Sequence, residues 1–127
     1  MKGNGDVARA WLHKAGSDLA NAELCLAAQK ALDTACFHCQ QAAEKAMKAY
    51  LIAKNVEFPF VHDLKRLLDC CISIDPDFET LTTAAVCLNP FAVVTRYDDA
   101  FWPETDEVKE ALELARAVYC FVQGRVP

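Results

Sequence analysis

Glycine and proline are scarce in this chain, with 4 and 5 among 127 residues. There is no Gly-rich loop of the kind that cradles phosphates, no setting for a serine nucleophile and no paired-carboxylate site. Period-two alternation of apolar and polar residues is missing too, which leaves no candidate strand. Internal repeats and low-complexity tracts are likewise absent. Positive charge is in deficit: 13 Lys and Arg stand against 18 Asp and Glu, a formal net charge of -5. General, nonspecific capture of nucleic acid is disfavoured by that balance, although local basic patches remain compatible with it. Charge-free apolar runs are too short to cross a bilayer, and the opening MKGNGDVARAW has no continuous apolar core of a secretion signal. A cytoplasmic chain without a membrane partner is the expectation.

What is present is a chain that is 54% hydrophobic, much of it alanine, which suits helices that approach one another closely. Its length fits a single domain over 1–127, with an ordered core from about 7 to 124. The 7 cysteines (25, 36, 39, 70, 71, 87 and 120) are odd in number and sit among helical apolar residues. They read as reduced thiols used as small core groups, not as a disulfide framework.

Apolar spacing divides the chain into five helices. Asp6 is placed to cap a first helix from about Val7 to Ala28, after a frayed tail at 1–5. Its buried stripe is Ala8, Trp11, Leu12, Ala15, Leu19, Ala22 and Leu26. No Gly or Pro marks the next boundary, but Asp33 and Thr34 are good cap residues, so a second helix is expected from about Leu32 to Ala53. Pro59 forbids helix in the following connector. A third helix starts at His62 or Asp63 and stops at Asp75-Pro76, where Pro76 opens a fourth that breaks or kinks at Asn89-Pro90. Phe91 to Trp102 is ambiguous. The last helix starts near Pro103 or Glu104, buries Val108, Ala111, Leu112, Ala115, Val118 and Val122, and ends at Gly124. The implied fold is all-α, an up-and-down antiparallel bundle with a four-helix core.

The stretch Cys36–Tyr50, CFHCQQAAEKAMKAY, carries most of the candidate chemistry. At 100° per residue, Ala35, Cys39, Ala42, Ala43, Ala46, Ala49, Tyr50 and Ala53 share one side of the second helix. His38, Gln41, Glu44, Lys45 and Lys48 gather on the other. Cys36-x-x-Cys39 therefore does not converge with His38, and a mid-helix pair lacks the tight turn of a structural zinc site; no metal is expected. The polar side has two readings. One is a solvated face laced by Gln41–Lys45 and Glu44–Lys48 pairs. The other is a patch that holds a phosphate-bearing ligand or a partner, with His38 as donor and Lys45 and Lys48 as cations. Arg96-Tyr97 has a similar pair of readings: a helix-end ion pair, or a phosphate grip with Tyr97 beside it. His62-Asp63 reads as a helix cap or a ligand contact, and Trp102 as an interface anchor.

Residues Ala35–Ala49 resemble the signature helix of the HEPN domain family. Trp11-Leu12-x-Lys14-Ala15-x-x-Asp18-Leu19 resembles that family's first helix, and His62-Asp63-Leu64, Leu88-Asn89 and Arg96-Tyr97 follow in the family's order. The resemblance runs from about Val7 to Val122. It implies a helical bundle, usually a homodimer, often paired with a minimal nucleotidyltransferase in a toxin–antitoxin or nucleotide-handling system. With the readings above, the candidate ligand contacts are His38, Gln41, Lys45, Lys48, His62, Arg96 and Tyr97, and no cofactor is expected. Many family members are ribonucleases with an Arg-x4–6-His motif. Here Arg96 is followed by Tyr97-Asp98-Asp99-Ala100-Phe101-Trp102 and by no histidine. Cleavage of RNA calls for a group that titrates near neutrality, so binding is expected before catalysis. A ribonuclease without the usual histidine and a non-catalytic dimeric adaptor are the alternatives.

Overall fold

Two left-handed residues make the first turn of the chain without glycine or proline. In the computed structural model, which describes residues 3–127, helix α1 (Asn4–Ala28) ends where Gln29 takes φ 55°, and α2 (Leu32–Ala53) begins after Ala31 at φ 54°. Each such residue costs about 1 kcal/mol. Bonds to the neighbouring ends offset this: Gln29 Nε2 donates to Leu26 O at 2.7 Å, Thr105 Oγ1 donates to Gln29 Oε1 at 2.7 Å, and Lys30 N donates to Cys25 O at 3.1 Å. The capping expected of Asp33 and Thr34 is not used: Ala31 is the N-cap, Asp33 lies in the first turn, and Thr34 Oγ1 donates back to Ala31 O. Asp6 is also displaced from its expected role. Gly3 caps α1, and Asp6 pairs with Arg9 one turn on. Asn4 and Gly5, expected to fray, are helical; residues 1 and 2 lie outside the described residues.

The remaining boundaries follow the sequence closely. Asp63 caps α3 (Leu64–Ile74) by accepting from Lys65 N and Arg66 N. Asp75 then caps a 3-10 turn at Pro76–Leu81, which leads into α4 (Thr82–Leu88) and α5 (Phe91–Tyr97). The expected interruption at Asn89-Pro90 separates α4 from α5; both residues keep right-handed helical angles, so Pro76–Tyr97 forms one segmented helical stretch. Counted as one, it leaves the chain with the five helices its spacing implies. Helix α6 (Thr105–Gln123) opens on a reciprocal capping box between Glu104 and Glu107. The described residues contain no strand.

Helix α2 is the axis of the bundle, packed against every other α-helix. Ala35, Ala42, Ala43, Ala46 and Ala49 bring those neighbours close, and Met47 and Leu51 fill the space toward α3. At the far end, Phe78 stacks on Tyr50 and Phe121 with ring centroids 4.5 and 4.8 Å away. Pro76–Tyr97 is long and apolar enough, by length and composition alone, to cross a membrane. Its Phe78, Leu81, Ala85 and Leu88 are buried in the core of the bundle. The stripes foreseen on α1 and α6 are buried, with Trp11 and Leu26 at the margin.

Candidate functional site

Helix α2 is surrounded by helices, so Glu44 and Lys48 on its polar side lie inside the bundle while His38, Gln41 and Lys45 stay partly accessible. Glu44 is 3% exposed, Lys48 7% and Gln40 0%. Lys48 Nζ lies 3.1 Å from Glu44 Oε2, so the i,i+4 pair exists, but as an interior one. Gln40 Nε2 donates to Glu44 Oε1 at 3.2 Å and to the backbone oxygen of His62 at 3.1 Å. His62 Nδ1 stands 3.0 Å from Glu44 Oε1, and Gln41 Nε2 donates to Gln40 Oε1 at 2.7 Å. Glu44 thus ties α2 to the loop before α3. The solvated-face reading is corrected here: burial follows from the number of helices around α2, which its own periodicity does not record.

A second carboxylate organises the rest of that side. Asp18, on α1 and buried, receives Lys45 Nζ at 2.7 Å and faces His38 Nδ1 at 2.8 Å. Both residues are partly accessible, unlike Lys48. Buried polar side-chain atoms among the described residues all have a partner.

Arg96 has a different environment. Its Nε donates to Ala92 O at 2.8 Å, which anchors the side chain back to the first turn of α5. The guanidinium carbon lies 5.3 Å from the ring centroids of both Phe37 and Tyr97. No carboxylate comes within 4.0 Å of it among the described residues, so the helix-end ion pair does not form. Tyr97 is 76% exposed. Phe37 also meets the ring of His38 edge-on, with centroids 5.8 Å apart. Arg96, Tyr97, Phe37 and His38 therefore form one contiguous patch, into which His62, Lys48 and Gln41 are not drawn.

His62-Asp63 serves the fold first. Asp63 Oδ1 accepts from Asn89 Nδ2 at 3.2 Å, and Asn89 Oδ1 accepts from Leu64 N at 2.9 Å, which pins the start of α3 to the end of α4. Cys36, Cys39 and Cys71 are buried, and their thiols are pushed up to about 12, chiefly by burial. They are protonated at neutral pH, a poor state for metal ligation. Among the described residues, no three His, Cys, Asp or Glu side chains converge as a metal group.

Asp18, Phe37 and Gln40 are the organising residues that sequence reasoning passed over. Asp18 had a signal: an acid off the apolar stripe of α1, opposite a helix carrying His38 and Lys45.

Helices wrapped around a polar-sided central helix, with an aromatic-stacked arginine left un-neutralised beside it, define the class: an all-α bundle with one open basic patch. The HEPN domain family matches residues 8–125, and the chain belongs to that family. Among solved structures, TT1696 from Thermus thermophilus is 32% identical with a TM-score of 0.76, over 92% of this chain and 96% of that one. ST0689, described as an archaeal HEPN homologue, shares the fold over 100% of both chains, at 24% identity and a TM-score of 0.76. No curated protein matches the chain.

Proposed function

We propose that this HEPN protein binds a phosphate group of a nucleotide or RNA at Arg96 and Tyr97, beside Phe37 and His38. In this reading it works as a homodimer alongside a nucleotidyltransferase, in a toxin–antitoxin-like or nucleotide-handling pair. The observation that carries the ligand site is the un-neutralised guanidinium of Arg96, held by Ala92 O and two aromatic rings. A pre-positioned fork of this type suits bidentate phosphate contact, and exposed Tyr97 offers a ring for base stacking. The nucleotidyltransferase partnership rests on the family membership alone. Calorimetric titration with ATP and short RNA tests the reading. Binding that Arg96→Ala abolishes supports it; no binding with or without the partner enzyme ends it.

One observation favours a second reading, a ribonuclease without the Arg-x4–6-His histidine. Phe37 contacts both Arg96 and His38, and Asp18 holds one nitrogen of His38 in place. A histidine so oriented is suited to acid–base work. RNA cleavage by the wild type and not by His38→Ala supports this reading, and RNA left intact by the wild type removes it.

A further inference from the structure

A groove of about 440 Å3 opens between α1 and α2 and is lined by Ala10, Trp11, Lys14 and Lys45. None of its lining residues belongs to the Arg96 patch, although Lys45 of the groove and His38 of the patch share the Asp18 carboxylate. Small-molecule sites occupy about 300–1,000 Å3 and combine apolar walls with a few polar groups. This groove has that composition: an indole and a methyl side chain, with two ammonium groups. Lys14 is exposed and has no carboxylate within 4.0 Å among the described residues. Lys45 directs one contact to Asp18, and an ammonium has three donors. Behind the groove, buried Lys48, paired with Glu44, has its Nζ 5.9 Å from the centroid of the Trp11 ring. Of these three lysines, Lys14 alone has no carboxylate partner among the described residues, which leaves one free positive charge beside Trp11. The volume suits a ring with its acidic group.

We infer that this groove is a second binding site, for a small molecule that carries a planar ring and one phosphate or carboxylate. The ring packs on Trp11, and the anionic group bridges Lys14 and Lys45. The inference does not depend on phosphate binding at Arg96.

Trp102→Phe leaves Trp11 as the sole tryptophan, so its fluorescence reports the groove directly. The probes are adenosine monophosphate, naphthalene-1-carboxylate, adenosine and inorganic phosphate. Saturable quenching by either ring-bearing anion, with neither adenosine nor phosphate reproducing it, is the expected result. Which of the two anions quenches assigns the acidic group as phosphate or carboxylate. In the same background, Lys14→Glu should weaken binding by about tenfold, the effect of losing one charge-assisted contact. Ala10→Phe, which fills the groove, should abolish it, while Arg96→Ala should leave it unchanged. Circular dichroism verifies that each variant folds, as expected for exposed Ala10 and Lys14. Unchanged Trp11 emission with both anions, or equal quenching in folded Lys14→Glu and Ala10→Phe variants, overturns the inference. Quenching lost in Arg96→Ala overturns it too, by assigning the ligand to the Arg96 patch.

Discussion

Two groups of cations lie along the polar side of α2, and they are treated in opposite ways. Around Glu44 and Asp18, each lysine has a carboxylate at 2.7–3.1 Å, and Lys48 is withdrawn from water as well. At the other group, Arg96 is stacked between rings and left without a counter-charge. The first arrangement uses its electrostatics inside the protein and holds α1, α2 and the loop before α3 in register. The second keeps its charge for something outside. A cluster of basic residues in a sequence therefore needs its carboxylates located before it is read as a ligand site.

The contrast breaks most visibly at Glu44. Glu44→Ala strands Lys48 in the interior, and losing one partner of a buried pair costs about 3–5 kcal/mol. For a domain of this size the melting temperature should fall by about 10–20 °C, readable by thermal circular dichroism. A variant as stable as the wild type would place the Glu44 cluster with the Arg96 patch. Asp18→Ala should cost less, about 1–3 kcal/mol, because Lys45 and His38 can turn to water. Urea unfolding measures that difference.

Arg96→Ala sharpens the comparison from the other side. Stability should change by no more than about 0.5 kcal/mol, as for an exposed side chain away from the core, while phosphate affinity falls by about tenfold, close to 1.4 kcal/mol. Titration and melting of the same sample separate the two. The smallest effect concerns Asp75, an ordinary surface pair that calibrates both. The Asp77 backbone N–H, and then Arg125, hold its carboxyl below the ordinary 3.8. A lowered carboxylate stabilises the fold above its unfolded value, and that contribution is lost as pH falls below 3.8 through the folded value. Asp75→Asn should flatten this part of the acid unfolding curve and make the protein slightly less stable at neutral pH, with wild type and variant converging below the folded value; urea unfolding across pH measures this.

Much of the bundle was legible because a helix announces itself locally. The stripe Val108, Ala111, Leu112, Ala115, Val118 and Val122 marks α6 without reference to any other residue, and all six are buried. The expected limits of α2 agree with the structure, although no Gly or Pro marks its start and its caps were misplaced. Asp33 and Thr34 have the chemistry of caps, yet the turn is made by left-handed Gln29 and Ala31 and secured by Thr105, a residue distant in sequence. The interruption expected at Asn89-Pro90 is present as the junction of α4 and α5, although the fixed φ of Pro90 lets the chain resume helix at once in α5. At the candidate site, His38, Lys45 and Arg96 could be named from the sequence, whereas Asp18 and Phe37, which determine what those residues can do, could not.

The sequence by itself determined an all-α bundle of five helical units, the apolar stripe of each long helix and the residues that set this family apart. These depend on spacing and end chemistry within a few turns of chain. Only the tertiary structure decided that α2 is enclosed, that Lys48 is neutralised while Arg96 is not, and that Trp11 joins Lys14 and Lys45 in a groove. Burial and charge pairing depend on which helices surround a given face, and that is a property of the packed assembly of helices.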